Sequence, residues 1–119
     1  MKLIQHFVGG KNFLGESKKL GKIYNPATGE QTAEVKLATT KDIDNAVSNS
    51  KKAFESWSNV PPLQRARVMF KFKDLIEKNS NELTEIIVSE HGKVFEDAMG
   101  SLKRGLEVVE FACGIPQLL

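Results

Sequence analysis

Few residues in this chain of 119 have the type and setting for chemistry, and each also has a plain structural reading. Cys113 is the chain's one cysteine. A thiolate can act as a nucleophile, but Cys113 lies on an apolar line of residues, and apolar burial raises a thiol's pKa and leaves it inert. It is therefore read as core. His6 and His91 lie 85 positions apart. Neither has a cysteine or carboxylate at metal-ligand spacing, so surface or capping roles are expected and no metal site. Gly9 and Gly10 read as a turn, and Gly100 and Gly105 as points of close helix packing. No glycine-rich phosphate loop of the dinucleotide or P-loop kind is present. The carboxylates do not single out a catalytic pair by spacing, so no catalytic residue is assigned.

Arg104 stands apart. On a helix it shares a face with Val108 and Phe111, four and seven positions on. A guanidinium half-buried among apolar groups needs an anionic partner, because an unpaired buried charge is costly. Glu107, three residues along, would supply one as a surface pair. Salt bridge and ligand contact both remain open on these residues alone.

The elements that must position these residues are strands first and helices after. Leu3–Val8 and Lys11–Leu14 flank Gly9-Gly10, a pair that accepts positive φ and closes a tight hairpin. Lys22-Ile23-Tyr24 is a short strand, followed by an Asn25-Pro26-Ala27-Thr28-Gly29 turn. From Gln31 to Leu37, Ala33, Val35 and Leu37 alternate with Thr32, Glu34 and Lys36, which predicts a half-buried antiparallel strand.

Thr39 with Asp42 forms a capping pair ahead of a helix whose apolar face holds Ile43, Ala46, Val47, Ala53, Phe54 and Trp57. Pro61-Pro62 opens a second helix carrying Leu63, Ala66, Met69, Phe70, Leu75 and Ile76. Asn79 with Glu82 predicts the cap of a third, which ends at Gly92. The fourth spans Phe95 to Cys113. There Phe95, Met99, Leu102, Leu106, Val109 and Cys113 recur at spacings of 4, 3, 4, 3 and 4. A second line holds Asp97, Ser101, Arg104, Val108, Phe111 and Ile115, so this helix is apolar on two sides and expected to be sandwiched. Gly114 and Pro116 mark its exit. No repeat or linker divides the chain, which reads as one unit.

Composition sets the outer bounds. The chain is 40% hydrophobic and 27% charged, with Lys+Arg 17 against Asp+Glu 15 giving +2. That describes a globular rather than a disordered chain, and the strands and helices read above make its class α/β. Basic residues are scattered rather than striped with aromatics, so no nucleic acid is expected as partner. No apolar run approaches the ~20 residues of a membrane span, so no membrane is expected either. The start lacks a signal-peptide core, and a cytoplasmic protein is expected.

Several stretches together resemble the aldehyde dehydrogenase superfamily. Asn25-Pro26-Ala27-Thr28-Gly29-Glu30 is similar to its turn between early strands. Ala46, Ala53-Phe54 and Trp57, with Arg65 at the head of the next helix, are similar to its first helices. Glu90-His91-Gly92-Lys93 followed by Asp97-Ala98 resembles its Glu-x-Gly-Lys…Ala segment. Arg104-Gly105-Leu106-Glu107-Val108-Val109-Glu110-Phe111-Ala112-Cys113-Gly114-Ile115-Pro116 resembles the CoA-acylating methylmalonate-semialdehyde dehydrogenases.

The resemblance implies the N-terminal part of that fold over residues 1–119, with short antiparallel strands at about 3–37 and four helices at about 40–114, and without the Rossmann-like core. It implies NAD-dependent oxidation of malonate or methylmalonate semialdehyde with release of carbon dioxide and formation of an acyl-CoA, as in valine and inositol breakdown. NAD and CoA are implied for the full-length enzyme, a homo-oligomer and by family a tetramer. Neither cofactor is expected to bind the 119 residues alone. The family's nucleophilic cysteine and general-base glutamate are expected beyond Leu119, and Cys113 does not match that nucleophile. Arg104 matches an arginine that binds the substrate carboxylate, a role suited to a planar two-pronged donor. Two other readings compete: a general NAD-dependent aldehyde dehydrogenase, and a stand-alone helical interaction module. A downstream Rossmann-like stretch would exclude the module, and Arg104 in its Gly-x-Glu setting argues against the general enzyme.

Overall fold

A computed structural model describes residues 2–119. The elements are β1 (Lys2–Ile4), β2 (His6–Val8), β3 (Lys11–Phe13), β4 (Leu20–Tyr24), β5 (Gln31–Lys36), α1 (Thr40–Trp57), α2 (Pro62–Lys78), α3 (Ser80–His91) and α4 (Phe95–Cys113), closed by a 3-10 turn at Ile115–Leu118. Strands then helices is the order the sequence predicts. Although no linker marks it in the sequence, the chain divides into two compact units after Asn59.

The first unit begins with a difference from expectation. Leu3–Val8 is not one strand but two, broken at Gln5. β2 pairs with β3 around Gly9 and Gly10, matching His6 to Phe13 and Val8 to Lys11. Both glycines have positive φ, at 63° and 77°, as a tight hairpin that follows the twist of its strands requires. β1 instead runs parallel to β5, while β4 pairs antiparallel on β5's other side. β5 is thus the centre of a mixed sheet ordered β1-β5-β4, not simply an antiparallel partner. With a neighbour on each edge, its alternation is damped: Ala33 is buried, but Glu34 and Lys36 are half-buried.

The Thr39–Asp42 cap forms as read. The Thr39 hydroxyl accepts from the Asp42 backbone N–H at 3.1 Å, and the Asp42 carboxylate accepts from the Thr39 backbone N–H at 2.8 Å. The same carboxylate reaches back 26 positions to accept from the Glu16 backbone N–H at 3.1 Å. One buried acid therefore caps α1 and pins the loop between β3 and β4. These N–H and hydroxyl donors, those of Thr39 foremost, hold the Asp42 carboxyl below the usual carboxylate range, with nearby His6 adding slightly. Gly15, in that loop, has φ +71°, and a Cβ there would lie 3.1 Å from the His6 ring and 3.2 Å from the Asp42 carboxylate. The apolar line of α1 is largely open, with Ile43, Val47, Phe54 and Trp57 all exposed.

The second unit is built on α4, which packs against both α2 and α3. Its buried positions are small: Ala66, Ala98, Thr84 and Cys113. Small side chains let helix backbones approach closely. Thr84 is completely buried and donates its hydroxyl to the Ser80 carbonyl at 2.7 Å, so its burial leaves no unmet donor. Lys73 adds an ionic tie on the same assembly, 2.8 Å from Glu77 and 3.9 Å from Glu110. Asn79 departs from the capping expectation. Its side chain makes no bond into α3 and instead donates to the Leu75 carbonyl at 2.7 Å, closing the end of α2. Gly92 ends α3 in the left-handed conformation, φ 76°, as its sequence position suggests. No described helix is long and apolar enough to cross a membrane.

Candidate functional site

Helix α4 carries the candidate site residue on one face and the core on the other. Met99, Leu102, Leu106 and Val109 are half-buried and Cys113 is buried at 6% exposure. That is the inward line the sequence predicts except at Phe95, which is exposed, and it puts the Cys113 sulfur in packing. The second line points outward: Val108 is 68% and Phe111 70% exposed. The expected sandwiching of this face is not made by any described residue.

Arg104 lies on that outward line and is itself exposed, not half-buried as the sequence suggests. Helical side chains lean toward the N-terminus, and Arg104 does so. One guanidinium nitrogen, Nη1, would stand 3.6 Å from a Cβ at Gly100, and the other, Nη2, donates to the Ser101 hydroxyl at 3.0 Å. The Glu107 pair that the spacing allows does not form, because Glu107 is three residues toward the C-terminus, away from that lean. Among the described residues no carboxylate makes an ion pair with Arg104. Most of its N–H fork, five donors in a fixed plane, faces outward without a protein partner.

Lys93 was not singled out by type or spacing. Carried by the turn at Gly92, it also donates to the Ser101 hydroxyl at 3.0 Å. No local signal pairs positions eight apart across a turn, although the i−3 relation of Ser101 to Arg104 was readable.

The other candidates are dispersed. His6 is half-buried beside Phe13, with ring centroids 6.2 Å apart, and its Nε2 has no hydrogen-bond partner. His91 is exposed at the end of α3. Among the described residues no three of His, Cys, Asp and Glu converge as metal ligands. Two shallow cavities, one of about 230 Å³ at His6, Phe13 and Asp42 and one of about 190 Å³ at Ile76, Met99 and Leu106, do not include Arg104. For a dinucleotide the fit is poor. The positive-φ glycines lie in the β2–β3 hairpin, before β4, before β5 and at the end of α3. None stands between the parallel strand β5 and helix α1, where a pyrophosphate would need a close backbone approach.

The fold and these segments define a class. Residues 13–119 match the model of the aldehyde dehydrogenase family, and the chain belongs to that family. Within it, the similarity is to enzymes of semialdehydes. The chain is 42% identical over 117 residues to malonate-semialdehyde dehydrogenase 1 of Geobacillus kaustophilus, covering 98% of this chain and 24% of that one. The crystal structure of methylmalonate-semialdehyde dehydrogenase from Oceanimonas doudoroffii matches with a TM-score of 0.95 at 47% identity, covering 100% of this chain and 24% of that one. A Sinorhizobium meliloti structure assigned to the same activity and complexed with NAD matches at 0.95 and 46%, covering 99% and 24%. The chain thus spans about a quarter of the length of these relatives.

Proposed function

We propose that these residues form the N-terminal quarter of an NAD-dependent, CoA-acylating malonate- or methylmalonate-semialdehyde dehydrogenase, and that Arg104 binds the substrate's carboxylate. The observation that carries this is the outward guanidinium of Arg104, tethered by a neutral hydroxyl and, among the described residues, in no ion pair with an acid. The names and identities of the relatives support the same reading.

NAD and CoA supply hydride acceptance and acyl transfer in the complete enzyme, which on this reading is a cytoplasmic homotetramer. No glycine turn that would admit a pyrophosphate stands between β5 and α1, and on this reading the 119 residues alone are inactive. Their own part is to recognise the anionic end of the semialdehyde and so orient its carbonyl.

Surface area supports a larger assembly. The described chain exposes 9173 Å². Two separate compact bodies sharing its 13.2 kDa would expose only about 7,700 Å² by the scaling of folded monomers. The excess includes Val108 and Phe111 beside Arg104, a face that the remainder of the enzyme would cover.

The test is inhibition by malonate, an unreactive dicarboxylate, in the complete enzyme that carries this segment. Competitive inhibition against the semialdehyde is expected, weakened about tenfold or more in Arg104→Ala. Equal inhibition of both forms would refute the assignment.

A further inference from the structure

We infer that Lys93 and Ser101 belong to the same anion site as Arg104, a two-cation cradle joined through one hydroxyl that takes the substrate carboxylate. The inference rests on the reading of Arg104 above and extends it to two residues which that reading does not include. A serine hydroxyl has one hydrogen to donate and two lone pairs to accept with, and Ser101 uses all three. It donates to the Asp97 carbonyl at 3.2 Å and accepts from Lys93 and from Arg104, each at 3.0 Å. Those two legs hold the cationic nitrogens no more than about 6 Å apart, where like charges repel.

Among the described residues neither cation is in an ion pair, and Asp97, on the same helix line, offers Ser101 its backbone carbonyl. Lys93 also precedes Val94, the N-cap of α4, so the positive end of the helix dipole adds to the field there. Two convergent cations and a helix N-terminus, held together by a neutral oxygen, are complementary to an anion. The fork of Arg104 suits both carboxylate oxygens, and the Lys93 ammonium adds a point charge beside one of them. Ser101 is a positioning residue: it does not supply charge but fixes both donors.

The complete enzyme carrying Lys93→Met, Lys93→Gln, Ser101→Ala or Ser101→Thr tests this, with kcat and KM measured for malonate semialdehyde, for propanal and for CoA. Both Lys93 variants are expected to lower the ratio of kcat/KM for malonate semialdehyde over propanal about tenfold, the size of one charge-assisted contact, chiefly through KM. Ser101→Ala should lower it several-fold and Ser101→Thr, which keeps the hydroxyl, should restore it. If Arg104→Ala is selective for the carboxylate substrate while the Lys93 variants are not, the cradle is overturned and the Arg104 reading stands. If the Lys93 variants raise KM for CoA instead, the anion is a coenzyme phosphate and the carboxylate assignment of the cradle is overturned. If Arg104→Ala is itself unselective, the underlying reading falls first.

Discussion

Replacing Arg104 by alanine removes an exposed guanidinium whose one described bond goes to a neutral hydroxyl. The fold should hardly register this, since surface substitutions away from special features usually stay within about 0.5 kcal/mol. The cost should fall on binding. A charge-assisted pair whose remaining partner stays desolvated is worth about 2–5 kcal/mol, and each 1.4 kcal/mol is tenfold. In the complete enzyme, Arg104→Ala should therefore lower kcat/KM for malonate semialdehyde roughly thirty-fold or more while affecting propanal far less. Arg104→Lys should recover only part, because a point charge cannot reproduce the fork. The assay is initial-rate NADH formation on both aldehydes, so the comparison is internal to one protein. An equal fall on both substrates, or full recovery in Arg104→Lys, would refute the reasoning.

The remaining predictions concern the segment itself. Gly15→Ala forces a side chain into φ +71° against His6 and Asp42. A left-handed residue alone costs about 1–2 kcal/mol, which should lower Tm by roughly 5–15 °C, read by circular dichroism. The Asp42 carboxyl is held below its ordinary value when folded, so its contribution is present above the unfolded pKa of about 3.9 and is lost as pH falls through the folded-state value. Denaturant midpoints of the chain should drop below about pH 4, and less so in Asp42→Asn. Cys113, 6% exposed, should react with a thiol reagent at least about tenfold more slowly in the native chain than in denaturant, given how rarely a buried position opens. The chain alone, with Val108 and Phe111 open, should self-associate, so that sedimentation depends on concentration.

What the sequence discloses is mainly what local chemistry decides. The Thr39–Asp42 cap, the Gly9-Gly10 hairpin, the stop at Gly92 and the extent of α4 follow from backbone rules acting within a few residues. Misreadings arise where distant residues compete. The break at Gln5 exists because Lys2–Ile4 finds a parallel partner 31 positions on, which no hairpin signal reveals. Asn79 could cap either neighbouring helix, and the Leu75 carbonyl took its side chain. At the site, Arg104 was legible as an unusual charge but its surroundings were not. Its lean toward the N-terminus favours Ser101 over Glu107, and Lys93 joins only through the Gly92 turn.

The most direct measurement is the product formed by the complete enzyme from malonate semialdehyde and NAD, with and without CoA, identified by mass spectrometry. The account expects acetyl-CoA, carbon dioxide and NADH, with turnover dependent on CoA. A free carboxylic acid formed equally well without CoA, or a preference for uncharged aldehydes, would contradict it.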